Sequence, residues 1–251
     1  MNLRRALIHS YLFFPYVWHK LTRSGPFGRN RPEYVNDPVI SDGNPLKAAL
    51  ARHHIKQFHE SSCSVASVVT AINAIRKLQY PDMPPIGQEE ILDTVRTAHW
   101  KERMSKTGYK GRRGLPLPVL GEVVEGSLAA YQITYRHVET VYASKDPAEA
   151  ETIREVLRKR LYAFEKEGNC LIIAHFDQGA YVPALNIPHI SPVGGFDPES
   201  GRVLILDVDP YQETAYWVTF DTFYAGLASN YNHVLRLFGY RCGGYVFIEF
   251  A

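Results

Sequence analysis

One cysteine of this chain stands where a helix is predicted to begin, and it is the residue best suited to nucleophilic chemistry. The segment that leads into it reads Gln57-Phe-His-Glu-Ser-Ser-Cys63. Beyond it, apolar residues recur at helical spacing, at Val65, Val68, Ile72, Ile75 and Leu78. This spacing predicts an amphipathic helix that begins near Ser62 and buries the apolar stripe. Unpaired backbone N–H groups and the positive dipole end at a helix N-terminus favour the thiolate, the form of cysteine that attacks a carbonyl carbon.

The other two cysteines, Cys170 and Cys242, lie in or beside apolar strand-like runs, and we interpret both as core residues. The chain has 3 cysteines and no C-x-x-C pair, which argues against a disulfide scaffold and against a cysteine-rich zinc site. A free cysteine is most often a small buried hydrophobe. The catalytic interpretation of Cys63 therefore depends on whether the chain supplies partners for it.

The composition is that of an ordinary folded chain. It has 251 residues, a hydrophobic share of 45% and a formal net charge of +2, which give no support for nucleic-acid binding as the main role. The apolar, aromatic stretch at residues 6–18 is shorter than the about 20 residues that a membrane-spanning helix needs. We therefore expect no integral membrane span and favour a cytoplasmic protein. An exported protein, or one held at a membrane surface by this stretch, is the alternative.

Helical periodicity dominates the first half of the chain and strand-like runs dominate the second. Helices are predicted near residues 62–78, 88–100, 117–130 and 146–167, with one strand-like run at 131–138. Short apolar runs bounded by Gly, Pro or Asp predict strands at 170–176, 189–196, 202–208, 216–220 and 245–250. Helices followed by a mostly antiparallel sheet indicate an α+β fold with two lobes, of which the helical lobe carries Cys63.

Two of the predicted strands form a hairpin that carries a histidine and two aspartates. We predict a five-residue turn between them and the register that pairs Phe196 with Arg202. His189 then lies opposite Asp209, and Asp207 is its diagonal neighbour on the same face of the sheet. Either carboxylate could hold the imidazole, and strand geometry does not choose between them.

Each of these residues has an ordinary structural explanation. A lone histidine is most often a surface or hydrogen-bonded core residue, and aspartates at strand ends usually cap turns. Together with Cys63 and Gln57 they form a set with a chemical use: a nucleophile, a base, an orienting carboxylate and an oxyanion donor, in the chain order Gln, Cys, His, Asp. The sequence therefore predicts cysteine-based acyl transfer.

At these residues the sequence resembles the phytochelatin synthases, members of the papain-like clan that act on glutathione. Gln57 stands 6 positions before Cys63, and Cys63-Ser-Val-Ala-Ser matches the family's Cys-Gly-Leu-Ala-Ser. His189-Ile-Ser-Pro-Val-Gly-Gly matches its His-Phe-Ser-Pro-Ile-Gly-Gly, and Leu204-Ile-Leu-Asp207-Val matches its Leu-Ile-Leu-Asp-Val. The interval between the histidine and the aspartate also agrees, and the resemblance covers roughly residues 40 to 235.

The resemblance implies a papain-like cysteine protease fold, with the cysteine on a helical lobe and the histidine and aspartate on an antiparallel β-sheet lobe. It implies Cys63 as nucleophile, His189 as general base and acid, Asp207 rather than Asp209 as the orienter of that histidine, and Gln57 as a donor to the oxyanion hole. It also divides the chain into an N-terminal leader or linker at residues 1–39 and a catalytic domain at residues 40–251, as in the short prokaryotic forms.

Two residues depart from the family pattern. Ser64 replaces the glycine after the nucleophile, and we expect it to narrow the space beside the thioester. Pro210 stands where plant enzymes carry a basic residue implicated in substrate binding, which argues against full polymerising activity.

The activity that the resemblance implies is γ-glutamylcysteinyl transfer from glutathione, through a thioester on Cys63, to water or to a second glutathione. This chemistry requires no cofactor. Cadmium or zinc would act as an activator, either through the metal thiolate of glutathione or at a protein site that the sequence does not identify. The alternatives are a papain-like peptidase acting on another peptide or protein and, behind it, a metal- or thiol-binding protein, for which His53, His54 and His59 are the candidate ligands near Cys63. Whether the protein is a homodimer stays open.

Overall fold

The architecture is known from a computed structural model that describes residues 10, 33–35, 43–181, 187–212, 214–229, 236 and 239–250. Within these ranges there are seven α-helices and seven strands. The helices are α1 (Pro45–His53), α2 (Cys63–Gln79), α3 (Gln88–Thr94), α4 (Trp100–Met104), α5 (Leu117–Ala130), α6 (Pro147–Glu167) and α7 (Phe220–Leu227). The strands are β1 (Glu33–Val35), β2 (His137–Tyr142), β3 (Cys170–Asp177), β4 (Pro188–Asp197), β5 (Arg202–Ile205), β6 (Ala215–Thr219) and β7 (Gly244–Glu249).

The strands form one antiparallel sheet in the order β1-β6-β5-β4-β3-β7-β2. β3, at the centre of the fold, is buried at every position, which is the pattern of a strand covered on both faces rather than on one. Helix α2 packs on β4, and α6 and α7 pack on β3. The predicted α+β class is confirmed, although β1 precedes the first of these helices and β2 precedes α6.

Helix α2 is more deeply buried than its apolar stripe predicts. Every residue from Ser64 to Arg76 is buried, because α1, α3 and α5 pack on the helix and the sheet covers it through β4. A helix with polar residues on one side only would leave that side in water; here small residues such as Ser67 and Ala71 face other elements instead. The predicted stripe ends one turn early, since Leu78 is 39% exposed.

The helix predicted at residues 88–100 is wrong in its second half. α3 ends at Thr94, and the chain then passes through Ala98 and His99, both with positive φ (54° and 55°), before α4 begins at Trp100. The periodicity of the apolar residues continues across this break, so the spacing alone could not reveal it. The break directs Trp100 into the core, where it is 0% exposed.

The strand predicted at residues 131–138 is displaced toward the C-terminus. The backbone of Tyr131 to Ile133 is used to close α5, since the Ile133 N–H bonds the Leu128 carbonyl at 2.9 Å. β2 therefore begins only at His137, where the chain pairs with β7. The alternation of side chains predicted a strand that begins at Tyr131, but the first residues of that run form the C-terminal turn of α5 instead.

The hairpin of β4 and β5 differs from its predicted register near the turn. Phe196 pairs with Val203 rather than with Arg202, and a bulge at Gly194 then shifts the register so that Val193 pairs with Ile205. On the N-terminal side of Gly194 the strands therefore have the predicted register, and only the residues between the bulge and the turn depart from it. β5 also ends at Ile205, earlier than the predicted Val208.

Strand β1 lies inside the segment that was predicted to be a leader or linker. It pairs antiparallel with β6, and Tyr34 stands opposite Tyr216 in this pairing. The rest of residues 1–39, apart from residue 10, lies outside the described residues, so the boundary at residues 39 and 40 stays a prediction.

The bulge at Gly194 generates a prediction for the stability of the fold. A Cβ at this position would lie 2.6 Å from Cγ of the buried Leu206, whereas one at the adjacent Gly195 would lie 3.3 Å or more from its neighbours. Because overpacking in a core typically costs about 1–3 kcal/mol, we expect Gly194→Ala to lower the free energy of unfolding by that amount in urea denaturation. Gly195→Ala is the control and should cost clearly less. Equal losses in the two variants would contradict the steric argument.

Candidate active site

Cys63 is the first residue of α2 and is partly exposed. The residue before it, Ser62, occupies the N-cap position but makes no side-chain cap to the helix. Its hydroxyl instead donates to the His59 carbonyl at 2.8 Å and accepts from the His59 N–H at 3.0 Å. The first-turn N–H groups of α2 are thus without a side-chain cap beside the sulfur, which is the arrangement that stabilises negative charge at a helix N-terminus.

Two contacts join the helix that carries Cys63 to the hairpin. The Ser67 hydroxyl lies 2.7 Å from the Cys63 carbonyl and 2.9 Å from the Ile190 carbonyl of β4, so it can donate to either. The Gln57 N–H donates to the Val208 carbonyl at 2.8 Å, just beyond β5. Hydrogen bonds from α2 and from the segment before it therefore tie the helical part of the site to the sheet.

The hairpin brings His189 and Asp207 into direct contact. Nε2 of His189 and Oδ1 of Asp207 are 2.8 Å apart, and both side chains are buried, with 6% and 0% of their surface exposed. The Cys63 side chain lies near enough to the imidazole to contribute to raising its pKa. Since Nε2 is engaged with the carboxylate, Nδ1 is the ring nitrogen left for the sulfur.

The electrostatics of this pair favour two opposite charges. Burial lowers the pKa of His189, but the Asp207 charge and hydrogen bond, followed by the Cys63 contact, outweigh it and hold the pKa well above 6.5. Burial likewise raises the pKa of Asp207. The His189 charge and the hydrogen bonds from His189, Tyr216 and the Asp209 N–H overcome this effect and lower that pKa to about 2. The imidazolium and the carboxylate are therefore both charged at neutral pH.

The backbone of Asp207 is held as tightly as its side chain. Its carbonyl oxygen accepts from Lys56 Nζ at 2.7 Å and lies 3.0 Å from His54 Nε2. Burial and the nearby Lys56 charge lower the pKa of His54 to about 4, so this imidazole is neutral and donates Nε2–H. Both donors come from the segment that leads into α2, which adds a third link between the two halves of the site.

Asp209, the other carboxylate that hairpin geometry left open, does not contact His189. Its Oδ2 accepts from Gln178 Nε2 at 3.1 Å and its Oδ1 accepts from the Tyr211 N–H at 2.9 Å. These are bonds of a turn-capping aspartate. Its backbone N–H, however, donates to Oδ1 of Asp207 at 2.8 Å, so the residue supports the pair without joining it.

Gln57 lies six residues before the nucleophile, in the segment that leads into α2, and is half-buried. Its backbone is fixed by Val208, whereas its side-chain Oε1 is buried and has no hydrogen-bond partner among the described residues. A buried amide that leaves an acceptor unpaired costs free energy, and such costs concentrate at functional sites. The role of this amide as an oxyanion donor remains a prediction.

The two departures from the family pattern have different surroundings. Ser64 is fully buried; its hydroxyl accepts from Trp100 Nε1 at 3.2 Å and lies 3.8 Å from the Met104 sulfur. Its side chain therefore points into the helical lobe, and the expectation that it narrows the space beside the thioester is wrong. Pro210 is exposed, and unlike a basic residue it places no positive charge on the surface next to Asp209.

The histidines near Cys63 do not gather around a common point. His54 bonds the Asp207 carbonyl, and Nδ1 of His59 accepts from the Ser61 N–H at 3.2 Å. Within the ranges that the structure describes, no three His, Cys, Asp or Glu side chains are arranged to hold a metal ion. In the same ranges no helix is long and apolar enough to cross a membrane, and the apolar stretch at residues 6–18 lies outside them except for residue 10.

Sequence reasoning missed three residues that surround the candidate triad, Tyr216, Lys56 and Ser67, and gave a fourth, His54, a different role as a metal ligand. Tyr216 donates its hydroxyl to Oδ2 of Asp207 at 2.5 Å, although the sequence marks it only as part of a strand. His54, Lys56 and Ser67 each contact the hairpin across more than 120 residues of chain. Tyr216 is only 9 residues from Asp207, but on a neighbouring strand that no local spacing places beside the carboxylate. A polar residue inside an otherwise apolar helix, as at Ser67, is the one signal that could have been used.

Comparison with known families agrees with this geometry. A helical lobe with a cysteine at a helix N-terminus, facing a sheet that carries a His–Asp pair, defines a papain-like α+β protein. The phytochelatin synthase family model matches residues 45–234, which is most of the chain. The protein belongs to the phytochelatin synthase family, whose members are acyltransferases that act on glutathione. No curated protein matches the chain significantly.

The opposite charges of the pair generate a prediction for titration. Because the pKa of His189 is raised and those of His54 and His175 are lowered to about 4, we expect imidazole NMR signals to show His189 protonated through neutral pH. The other two should stay neutral until the pH falls to about 4. The ion pair then stabilises the fold between the lowered pKa of Asp207 and the raised pKa of His189. A His189 signal that titrates below the ordinary value of about 6.5 would contradict this assignment.

Proposed function

We propose that the protein is a γ-glutamylcysteinyltransferase that cleaves the Cys–Gly amide of glutathione with Cys63 as the nucleophile. The observation that carries the proposal is the buried, hydrogen-bonded pair of His189 and Asp207, with Cys63 at the start of α2 near enough to the imidazole to contribute to its raised pKa. Membership of the phytochelatin synthase family supports glutathione as the substrate.

In the first step the Cys63 sulfur attacks the carbonyl carbon of the substrate's cysteine residue, and a C–S bond forms. The oxygen becomes an oxyanion, for which we assign the Gln57 side chain and the Cys63 N–H as donors. As the C–N bond breaks, the nitrogen of the departing glycine takes a proton from the His189 imidazolium. The products of this half-reaction are free glycine and a γ-glutamylcysteinyl thioester on Cys63.

In the second step the neutral His189 accepts a proton from the group that attacks the thioester. Water yields γ-glutamylcysteine, whereas the amine of a second glutathione yields a longer peptide; either way the sulfur leaves as thiolate. Asp207 stays ionised throughout, since its pKa of about 2 lies far below that of its partner. We assign it the role of orienting the ring and stabilising the imidazolium.

We assign heavy metal, where it acts, to the substrate rather than to a resident cofactor. Soft thiolates are preferred ligands of metals such as zinc, and glutathione supplies a thiol. A cadmium or zinc thiolate of glutathione would thus be the species that enters the acceptor position. Product analysis with and without cadmium measures how the thioester is shared between water and glutathione.

The rival function is a papain-like peptidase that acts on another peptide or protein. It uses the same triad, and the observation that favours it is the exposed Pro210 in place of a basic residue. The two functions differ in the acyl group that Cys63 carries. Mass spectrometry after incubation with glutathione separates them, because the peptidase would form no γ-glutamylcysteinyl adduct.

The nucleophile assignment predicts that Cys63→Ala releases no glycine from glutathione and forms no acyl-enzyme. Cys242→Ala is the control, since Cys242 is also a partly buried free thiol but lies in another part of the sequence. We expect this control to release glycine at the wild-type rate and to carry the adduct on Cys63. Glycine release by Cys63→Ala at the wild-type rate would refute the assignment.

The oxyanion assignment predicts a loss in kcat for Gln57→Ala. Removal of one oxyanion donor typically costs about 3 kcal/mol of barrier, which is about 10²-fold in kcat. Gln88→Ala serves as the control: the Gln88 side chain donates to the Lys56 carbonyl and has no assigned role in the reaction. Steady-state assays of glycine release measure both variants. A kcat for Gln57→Ala within about twofold of wild type would remove this residue from the mechanism.

A further inference from the structure

The two oxygens of the Asp207 carboxylate have different partners. Oδ1 meets Nε2 of His189 and the Asp209 N–H, both at 2.8 Å, while Oδ2 accepts from the Tyr216 hydroxyl at 2.5 Å. A hydrogen bond to an ionised acceptor is shorter and stronger than one between neutral groups. Asp207 is 0% exposed, so water does not replace the phenol as a donor without opening the core.

This phenol restricts the rotation of the carboxylate from the Oδ2 side, while the Asp209 N–H restricts it at Oδ1. If the carboxylate turned about its Cβ–Cγ bond, Oδ1 would leave the imidazole at the same time as Oδ2 left the phenol. The terminal torsion of an aspartate is soft, and the backbone contacts at the Asp207 carbonyl do not restrict it. Fixing Oδ2 therefore fixes the direction in which Oδ1 presents its lone pair to His189.

Tyr216 is itself immobilised by aromatic contacts. Tyr34 of β1 packs edge-on against it at 5.8 Å between ring centroids, and Tyr181 does so at 5.9 Å. The ring is 2% exposed, and its backbone on β6 is paired on both sides, with β1 and with β5. A donor held in this way places its hydroxyl with little loss of entropy when the site forms.

We propose that Tyr216 is a positioning residue: acting through Asp207, it holds the His189 imidazole in the orientation that Cys63 requires. The inference deepens the proposed function and rests on it for its catalytic consequence. The contact itself is independent of the substrate. The phenol also stabilises the ionised form of the carboxylate, since its hydrogen bond is among the effects that lower the pKa of Asp207.

Other ionisable groups lie around the His189–Asp207 pair, and a variant that tests the role of Tyr216 must leave them unchanged. They are Cys63 and Lys56 from the segment around α2, His54 beside Lys56, His175 from β3, and Asp209. Burial and the charges of Asp207 and Asp177 also raise the pKa of Tyr181. A useful variant removes the Tyr216 hydroxyl and leaves all of these in place, and Tyr216→Phe meets this requirement.

A matched control exists within the same aromatic cluster. The Tyr181 hydroxyl is buried and has no hydrogen-bond partner among the described residues, so Tyr181→Phe removes the same atom without breaking a bond. Both variants keep the ring and its packing, and comparison of their melting temperatures checks that both fold. Normalising each rate to active sites titrated with a cysteine alkylator removes any effect of misfolded protein.

We expect Tyr216→Phe to lower kcat for glycine release about tenfold, because the Asp207 carboxylate loses a charge-assisted hydrogen bond that holds it in place beside His189. KM should change by less than about twofold, because the residue acts on the orientation of the base and not on substrate binding. The acid limb of the pH profile should move to higher pH, since the carboxylate loses a bond that keeps its pKa low. Tyr181→Phe should match wild type in all three measurements.

Two further measurements make the inference falsifiable on its own. The pH dependence of Cys63 alkylation by iodoacetamide, read by peptide mass spectrometry, needs no substrate and should show the same shift for Tyr216→Phe. In an Asp207→Asn background the added Tyr216→Phe change should cost less than about twofold, as expected of two residues that act as one unit.

The outcomes separate the two proposals. If wild type releases no glycine from glutathione but Tyr216→Phe still shifts the alkylation profile, the proposed function fails and the positioning role stands. If wild type releases glycine and Tyr216→Phe matches Tyr181→Phe in kcat and in both pH profiles, the positioning role is overturned. A fall in melting temperature with unchanged kcat per titrated site and unchanged pH profiles would likewise overturn it, because the hydroxyl would then be merely structural.

Discussion

The buried ion pair between His189 and Asp207 is the interaction on which the rest of the site depends. Taking two charges out of water costs several kcal/mol per ion, and their attraction repays this only when geometry is good and the remaining lone pairs are satisfied. The fold meets both conditions: Nε2 and Oδ1 are 2.8 Å apart, and the other carboxylate oxygen accepts from Tyr216. The elements around the hairpin keep the two charged side chains in contact and supply the hydrogen bonds that offset the cost of burying them.

The second requirement is that the sulfur meets the imidazole although the two residues belong to different parts of the fold. Helix α2 carries Cys63, and β4 carries His189. The links between them run through short polar contacts: Ser67 to the Ile190 carbonyl, the Gln57 N–H to the Val208 carbonyl, and Lys56 to the Asp207 carbonyl. These three hydrogen bonds tie α2 and the segment before it to the hairpin, which suits a reaction that tolerates small displacements poorly.

The departures from the family pattern affect the surroundings of the triad rather than the triad itself. The Ser64 side chain is buried in the helical lobe, where Trp100 donates to its hydroxyl. That contact exists because the chain breaks between α3 and α4 and turns the indole inward. Pro210, by contrast, lies on the exposed surface next to Asp209, away from the buried pair.

Local patterns in the sequence were sufficient for the parts of the site that depend on local structure. Helical spacing after Cys63 predicted where α2 begins, and alternation in the hairpin predicted that His189 and an aspartate share a face, because both periodicities follow from backbone geometry alone. Hairpin spacing left Asp207 and Asp209 open, and the resemblance to the family chose Asp207, which is the carboxylate that contacts His189. The bulge at Gly194 and the phenol on Oδ2 came only from the tertiary structure. Each depends on which distant strand or loop arrives at the same place, and spacing along one chain segment carries no information about that arrival.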